Sequence, residues 1–431
     1  MSLLSGNIAF PGPGGGIRCG MASPPAPALA PSAVTMAVVV SALGYFVDIY
    51  DLLLFGIIRI KSLQDLGLSG QALKTTGLFL LDVQMYGMLL GGIIAGVIGD
   101  KRGRLSVLFG SIILYSLANI ANGLVATVPQ YAVARFIAGL GLAGELGAGI
   151  TLVSELMKKE SRGYGTAIVA AVGILGAVVA SLVGELLSWR VAYFVGGGLG
   201  LALLLLRVGV LESGMFNAAK ASHTQRGEFL SLFRNAKKLR RYLGVIVIGI
   251  PIWYVIALLV VLSPELAAAM GMKTLPTAGR AILFAYTGLV VGDLSSGVLS
   301  QLFKTRKKIV ASFLGLTVLS IAVYFTVGRA SLNAFYACCA LLGIATGYWA
   351  VFMTIAAEQF GTNIRATVTT TAPNFVRGSV PLLTWLFRSL EKPLGVVGSA
   401  ATVGALTLTR AFVALSLLDE TYGKDLDYLE A

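Results

Sequence analysis

The sequence predicts an all-α membrane protein: twelve transmembrane helices in two six-helix bundles, the second a pseudo-repeat of the first. Three observations carry this. The 431 residues are 56% hydrophobic and only 12% charged, about half the charge of a soluble domain. Apolar runs of about 20 residues, each long enough to cross a bilayer, recur twelve times. The chain also echoes itself. Gly96-Val97-Ile98-Gly99-Asp100 returns as Gly297-Val298-Leu299-Ser300-Gln301, and the spacing of Glu155 to Arg162 returns in Glu358 and Arg365. Both echoes are offset by roughly 200 residues, so one duplication accounts for them.

Residues 1–31, with FPGPGGG and ASPPAPALAP, read as a disordered leader and lack the basic start and apolar core of a signal peptide. The first bundle, 32–212, holds runs at 33–58, 73–99, 105–127, 130–157, 163–187 and 190–211. A polar linker, 213–241, separates it from the second bundle, 242–419, with runs at 242–269, 278–303, 308–328, 331–357, 364–389 and 393–418. A short tail, 420–431, follows. The basic loops Lys101–Arg104, Lys158–Lys159, Lys220–Arg241 and Lys304–Lys308 all fall on one side under this count. The positive-inside bias puts that side, and both termini, in the cytoplasm of a plasma-membrane protein. Net charge +13 is thus read as orientation and not as a nucleic-acid surface. Cys19, Cys338, Cys339 and the single His223 give no disulfide framework and no metal spacing. Without a nucleotide loop or nucleophile–base pair, no enzyme, cofactor or metal is expected.

Gly96-Val97-Ile98-Gly99-Asp100-Lys101-Arg102-Gly103-Arg104 joins the second and third runs. Its glycines permit close helix contact and a tight turn, and Asp100 can pair with basic groups nearby. It resembles the signature loop of the major facilitator superfamily, and the resemblance runs through nearly all the chain after the leader. The stretch Arg135–Glu145, RFIAGLGLAGE, is similar to the fourth helix of its sugar, phosphate and metabolite–proton symporters, and Gly44–Gly56 is similar to their first. Leu211-Glu212-Ser213 and Asp419-Glu420-Thr421 resemble the ends of the two halves, without the usual proline. The resemblance implies a major facilitator fold and alternating access by a monomer. It also implies a cytoplasmic gate of Gly96, Asp100, Arg102, Gly103, Arg104, Glu155, Arg162, Glu358 and Arg365. Two departures, no Gln in Ala171–Gly176 and Ala257 after Trp253, disfavour inorganic phosphate. The absence of a Gly-Pro pair in the fifth helix counts against drug efflux.

Charges inside the runs point to a watery interior, because lipid rejects them by at least ~2.5–3.5 kcal/mol each. Counting 1.5 Å per residue puts Asp48, Asp51 and Asp82 on the order of 4–8 Å outward of the midplane, with Glu145 close to it and Arg135 ~13 Å outward. Asp48 and Asp51, three apart, are expected on one face, and Asp51 is expected to pair with Arg135. An acid whose pairing changes as a cavity opens can load and release a proton, so Asp48, Asp51, Glu145 and Asp82 are the candidates for coupling. In the second half Arg377, beside Asn374, falls near the midplane, between Pro373 and Pro381. It either receives an anion or pairs structurally with Asp293. Tyr45, Gln84, Arg135, Trp253, Tyr254, Tyr348, Trp349, Asn374 and Arg377 are the candidate substrate residues, the aromatics because the seventh and tenth helices line the cavity in the resembled family. The leading expectation is a proton-coupled symporter of a small organic solute, preferably a carboxylate. Efflux or exchange of drugs or sugar phosphates is the alternative within transport, and a membrane sensor the alternative outside it.

Overall fold

The computed structural model describes residues 31–102, 104–145, 147, 162–212 and 231–424, and every regular element among them is helical. The first bundle comprises α1 (Pro31–Asp65), α2 (Gly70–Arg102), α3 (Arg104–Leu124), α4 (Val128–Leu142), α5 (Arg162–Leu186) and α6 (Trp189–Glu212). A short α7 (Ser231–Arg234) precedes the second bundle. There α8 (Ala236–Tyr254) passes through a π-helical turn, Val255–Val260, into α9 (Ser263–Ala269). Next come α10 (Ala278–Leu302), α11 (Lys307–Thr326), α12 (Leu332–Thr346), α13 (Trp349–Glu358), α14 (Thr362–Arg377) and α15 (Val380–Leu417).

Among the described residues ten helical stretches are long and apolar enough to cross a membrane. One of these, Thr367–Leu417, is two spans in sequence, because Gly395 takes φ 68° within it, a left-handed conformation that ends a helix. The remaining expected run, 130–157, begins in α4, and its residues beyond Gly147 lie outside the described ones. The expected twelve are therefore accounted for. Local chemistry sets several ends. Thr127 and Gln130 form a reciprocal capping box at the start of α4, Ser331 caps α12, and Gly67, at φ 82°, turns the chain between α1 and α2.

The duplication is written into the packing. A methyl group on Gly87 would strike the carbonyl of Phe136, and one on Gly139 the carbonyl of Gln84, so α2 and α4 touch backbone to backbone. In the second half Gly288 meets the carbonyl of Ala340 and Gly343 that of Ala285, bringing α10 and α12 together the same way. Gly91 against Leu140 and Ala143 is matched by Gly292 against Ile344 and Gly347. Small residues are what allow such approach where no hydrophobic effect drives helices together. The two bundles meet along α1 and α5 against α10, and α2 against α14 and α15.

Candidate functional site

Between the bundles lies a cavity of about 30 Å³, room for a water or two. The first bundle contributes Tyr45 and Ile49 of α1 and Ile174 of α5. The second contributes Trp253 and Ile256 from the seventh span, Tyr286, Leu289 and Asp293 of α10, Trp349 of α13 and Arg377 of α14. Arg377 is the centre of it. Its guanidinium lies 5.7 Å from the ring centroid of Trp253 and 5.9 Å from that of Trp349, distances at which the ring faces attract a cation. One nitrogen is 3.6 Å from Asp48 of α1, and this ion pair spans the two halves with both groups buried. Arg377 Nε and Nη1, Trp349 Nε1 and Asp293 Oδ2 have no hydrogen-bond partner among the described residues. These are donors and an acceptor in place for something else.

Two expected pairings come out differently. Arg377 takes Asp48, not Asp293. Arg135 does not take Asp51: it donates to Gln84 and, at 3.5 Å, to the Tyr193 hydroxyl, with Phe55 4.5 Å beneath it. The reason is the helical screw. Residues three apart differ by about 60° in direction, enough on α1 to send Asp48 to the interface and Asp51 into the first bundle, against Gly196 of α6. Glu145 pairs with Arg207 of α6 through both oxygens, beside Gly44 of α1. Arg207 was missed by sequence reasoning, although an Arg inside an apolar run was signal enough. Asp82 faces the other half, accepting from Thr384 at 2.6 Å with Arg388 at 3.7 Å.

Of the substrate candidates, Tyr45, Trp253, Trp349 and Arg377 line the cavity. Tyr254 is turned away, donating to the carbonyl of Ala400, and Tyr348 donates to that of Ile248. Both hold helices of the second bundle together. Gln84 and Arg135 form a separate buried network with Tyr131, Tyr193 and Ser62. Asn374 donates to the carbonyls of Ala143 and Thr370.

Backbone breaks surround this cavity. The tenth span is interrupted at Gly347 and Tyr348 and restarts at Trp349, where the amide of Ala350 donates to Asp293 at 3.1 Å. The eleventh is interrupted at Gly378 and Ser379, directly after Arg377. The fourth lapses at Ala143 and Gly144, and Asn374 from the other half takes the Ala143 carbonyl at 2.9 Å. Non-helical backbone at this depth is tolerated where protein or a polar cavity satisfies it.

On the side away from the basic loops, polar pairs bridge the halves: Arg59 with Glu265 and Lys74 with Glu391, each at 2.5 Å, and Glu185 with Thr277 at 2.9 Å and Arg280 at 3.4 Å. On the basic side Glu358 pairs with Arg306 at 3.3 Å and accepts from Thr421, and Arg365 donates to the carbonyls of Ala357 and Phe360. The two gate candidates Glu358 and Arg365 are thus not paired with each other, and Glu358 pairs with the loop before α11. Gly96 lies against Thr371. Of the other gate candidates, Gly103 and Glu155, and the side chains of Asp100, Arg102, Arg104 and Arg162, lie outside the described residues.

Residues 26–384 match the family described as Major Facilitator Superfamily. A probable 4-methylmuconolactone transporter from Cupriavidus pinatubonensis is 30% identical over 48% of this chain and 50% of its own length. A benzoate transport protein from Acinetobacter baylyi is 28% identical over 41% of this chain and 39% of its own. The chain thus aligns with half or less of each of these relatives. A solved structure of the proton:xylose symporter XylE, bound to 6-bromo-6-deoxy-D-glucose, superposes with a TM-score of 0.66 at 18% identity, over 92% of this chain and 98% of that one.

Proposed function

The chain belongs to the major facilitator superfamily, a family of membrane transporters, and within it we propose that this protein carries a small ring-bearing carboxylate together with a proton. The observation that supports the cargo is Arg377, poised between Trp253 and Trp349 in a cavity otherwise lined by Tyr and aliphatic side chains and by Asp293, which accepts from the Ala350 amide. Such a lining suits a flat ring, and a guanidinium with two unfilled donor nitrogens suits a carboxylate. The names of two relatives, a benzoate and a methylmuconolactone transporter, support the same class. On this reading the entering carboxylate replaces Asp48 at Arg377, which loosens the ion pair that ties the halves together. The basic loops face the cytoplasm, and one copy suffices because each half supplies part of the cavity.

Asp51 is the group we assign to the proton. It is 1% exposed, and among the described residues neither oxygen has an ion-pair partner or a hydrogen bond of proper geometry, so its charge would be costly in these surroundings. The pair formed by Glu145 and Arg207, by contrast, is a closed structural unit.

Reconstituted protein with labelled benzoate tests both assignments. Arg377→Ala is expected to slow benzoate exchange by roughly 100-fold or more, since removing one member of a buried charge pair costs about 2–5 kcal/mol. Asp51→Asn is expected to keep exchange while losing accumulation driven by a pH gradient. Unchanged exchange in the first variant removes the anion assignment, and unchanged gradient-driven uptake in the second removes Asp51.

A further inference from the structure

The first bundle contains a buried polar seam that touches neither the cavity nor the gates. Tyr115, Ser116, Asn119 and Asn122 recur at three- and four-residue steps along α3, which puts them on one face. Asp51 looks at them from α1, with the Asn119 side chain facing it. All five residues are at most 1% exposed. Yet among the described residues no hydrogen bond of proper geometry reaches the Tyr115 hydroxyl, Ser116 Oγ, either amide atom of Asn119 or Asn122, or either oxygen of Asp51. Folded interiors leave very few such atoms unpaired, and here eight of them share one seam.

Helix α6 packs closely along the seam through glycines, whose missing side chains leave the polar atoms uncovered by any larger group. Gly196 sits opposite Asp51 Oδ1, Gly197 against the backbone of Ser116, and Gly200 against Ser116 Oγ and the Tyr115 ring. The charged and titratable groups around Asp51 are accounted for elsewhere. Asp48 is with Arg377, Arg135 with Gln84 and Tyr193, Tyr131 with Tyr193 and Ser62, and Glu145 with Arg207. No protein cation is left over to satisfy the seam, among the described residues. A molecule that both donates and accepts, and is small enough, is water. From Ser116 to Asn122 the seam climbs about 9 Å along α3 and ends near the rim on the side away from the basic loops. There Arg190 pairs with Asp65 and donates to the carbonyl of Val125.

We propose that internal waters fill this seam and carry protons between that rim and Asp51 along α3, by a route separate from the substrate cavity. The proposal rests on the assignment of Asp51 as the proton carrier. A proton entering at Asn122 is handed from water to water and ends as an O–H bond on the Asp51 carboxyl. Only O–H bonds form and break, and no electron changes hands. Substrate and proton then reach their sites by different paths.

Two measurements on the full-length protein test this. In X-ray footprinting, radicals arise from water on the spot, so Tyr115 should be oxidised about tenfold faster than Tyr254, which is equally buried but donates to the carbonyl of Ala400. Equal rates for the two tyrosines overturn the water. In proteoliposomes, a variant carrying Asn119→Leu and Asn122→Leu should lose about tenfold in gradient-driven benzoate uptake, with exchange within about twofold of the parent. Leucine replaces atoms that lack protein partners, so the fold is expected to accept it. A melting curve checks this, and the single Asn122→Leu variant serves if the pair fails. Normal uptake in the leucine variants, with uptake lost in Asp51→Asn, overturns the route and leaves Asp51 in place. Normal uptake in Asp51→Asn instead removes the premise, while the tyrosine labelling still decides the water.

Discussion

The fourth and tenth spans are copies of each other that have solved one problem in two ways. Both approach their neighbour through facing glycines, Gly87 with Gly139 and Gly288 with Gly343, and in both the regular helix lapses at matching positions, at Ala143 into a turn whose dihedrals stay helical and at Gly347 with ψ 56°. The tenth span satisfies its break from within its own half, where Asp293 of α10 accepts from the Ala350 amide. The fourth span relies on the opposite half, where Asn374 of α14 donates to the Ala143 carbonyl. A bond inside one bundle survives when the bundles rock, whereas a bond between bundles does not. On the transport reading proposed above, the difference makes the tenth-span break a permanent part of the site and the Asn374 contact a feature of one state of the cycle.

The largest test of that contrast is Asp293→Leu. It strands the Ala350 amide in the interior, and the expected loss is about 1–3 kcal/mol of stability, read as a lower melting temperature in detergent. Asp293→Asn keeps an acceptor and should recover most of the loss. If it does not, charge and not hydrogen-bonding capacity is what that position requires. Smaller is the effect of Asn374→Leu. It should leave melting nearly unchanged and shift the balance of states by about 0.5–1.5 kcal/mol, or roughly two- to tenfold. A cysteine placed by Thr370→Cys, beside Gly147, should then react that much faster with a soluble alkylating reagent. A fall in melting as deep as that of Asp293→Leu would erase the distinction between the two breaks.

Smallest is a clamp that holds the second bundle alone. Burial raises the Glu420 carboxyl, but hydrogen bonds from Thr305 and from the amides of Arg306, Tyr422 and Thr421 outweigh it and hold the group down to about 2. With a folded value below the ordinary one near 4.5, its contribution is present above pH 4.5 and lost as pH falls through about 2. The carboxyl is largely open to solvent, so Glu420→Gln should cost below about 1 kcal/mol at pH 7. The gap to the parent should narrow steadily below pH 4.5 in a pH series of melting curves. A constant gap would mean that Glu420 acts through shape and not charge.

The fold was legible because every term that sets it is local. Twenty apolar residues satisfy their own backbone in one helix, so counting runs gives the spans, and the repeated Gly96 and Glu155 patterns expose the duplication before any helix is placed. Much of the cavity was legible for a related reason. A charge in an apolar run must face inward, and Arg377, Tyr45, Trp253 and Trp349 do so. Partners were not legible. Arg377 meets Asp48 across more than 300 residues of sequence, Arg207 closes on Glu145, and Glu358 on Arg306. Each of these depends on helix rotation, and a turn of about 60° moves a carboxylate from one neighbour to another.

By itself, then, the sequence determined that this chain crosses a membrane in two repeated bundles and keeps ionised groups away from lipid. Hydropathy and duplication are properties of the chain taken a helix at a time. Tertiary structure alone decided which acid answers which base, that Asp48 rather than Asp293 takes Arg377, and that Asp51 is left among polar groups with no counter-charge. Those outcomes are set by the angle and depth at which helices pack, and only the assembled bundle fixes both.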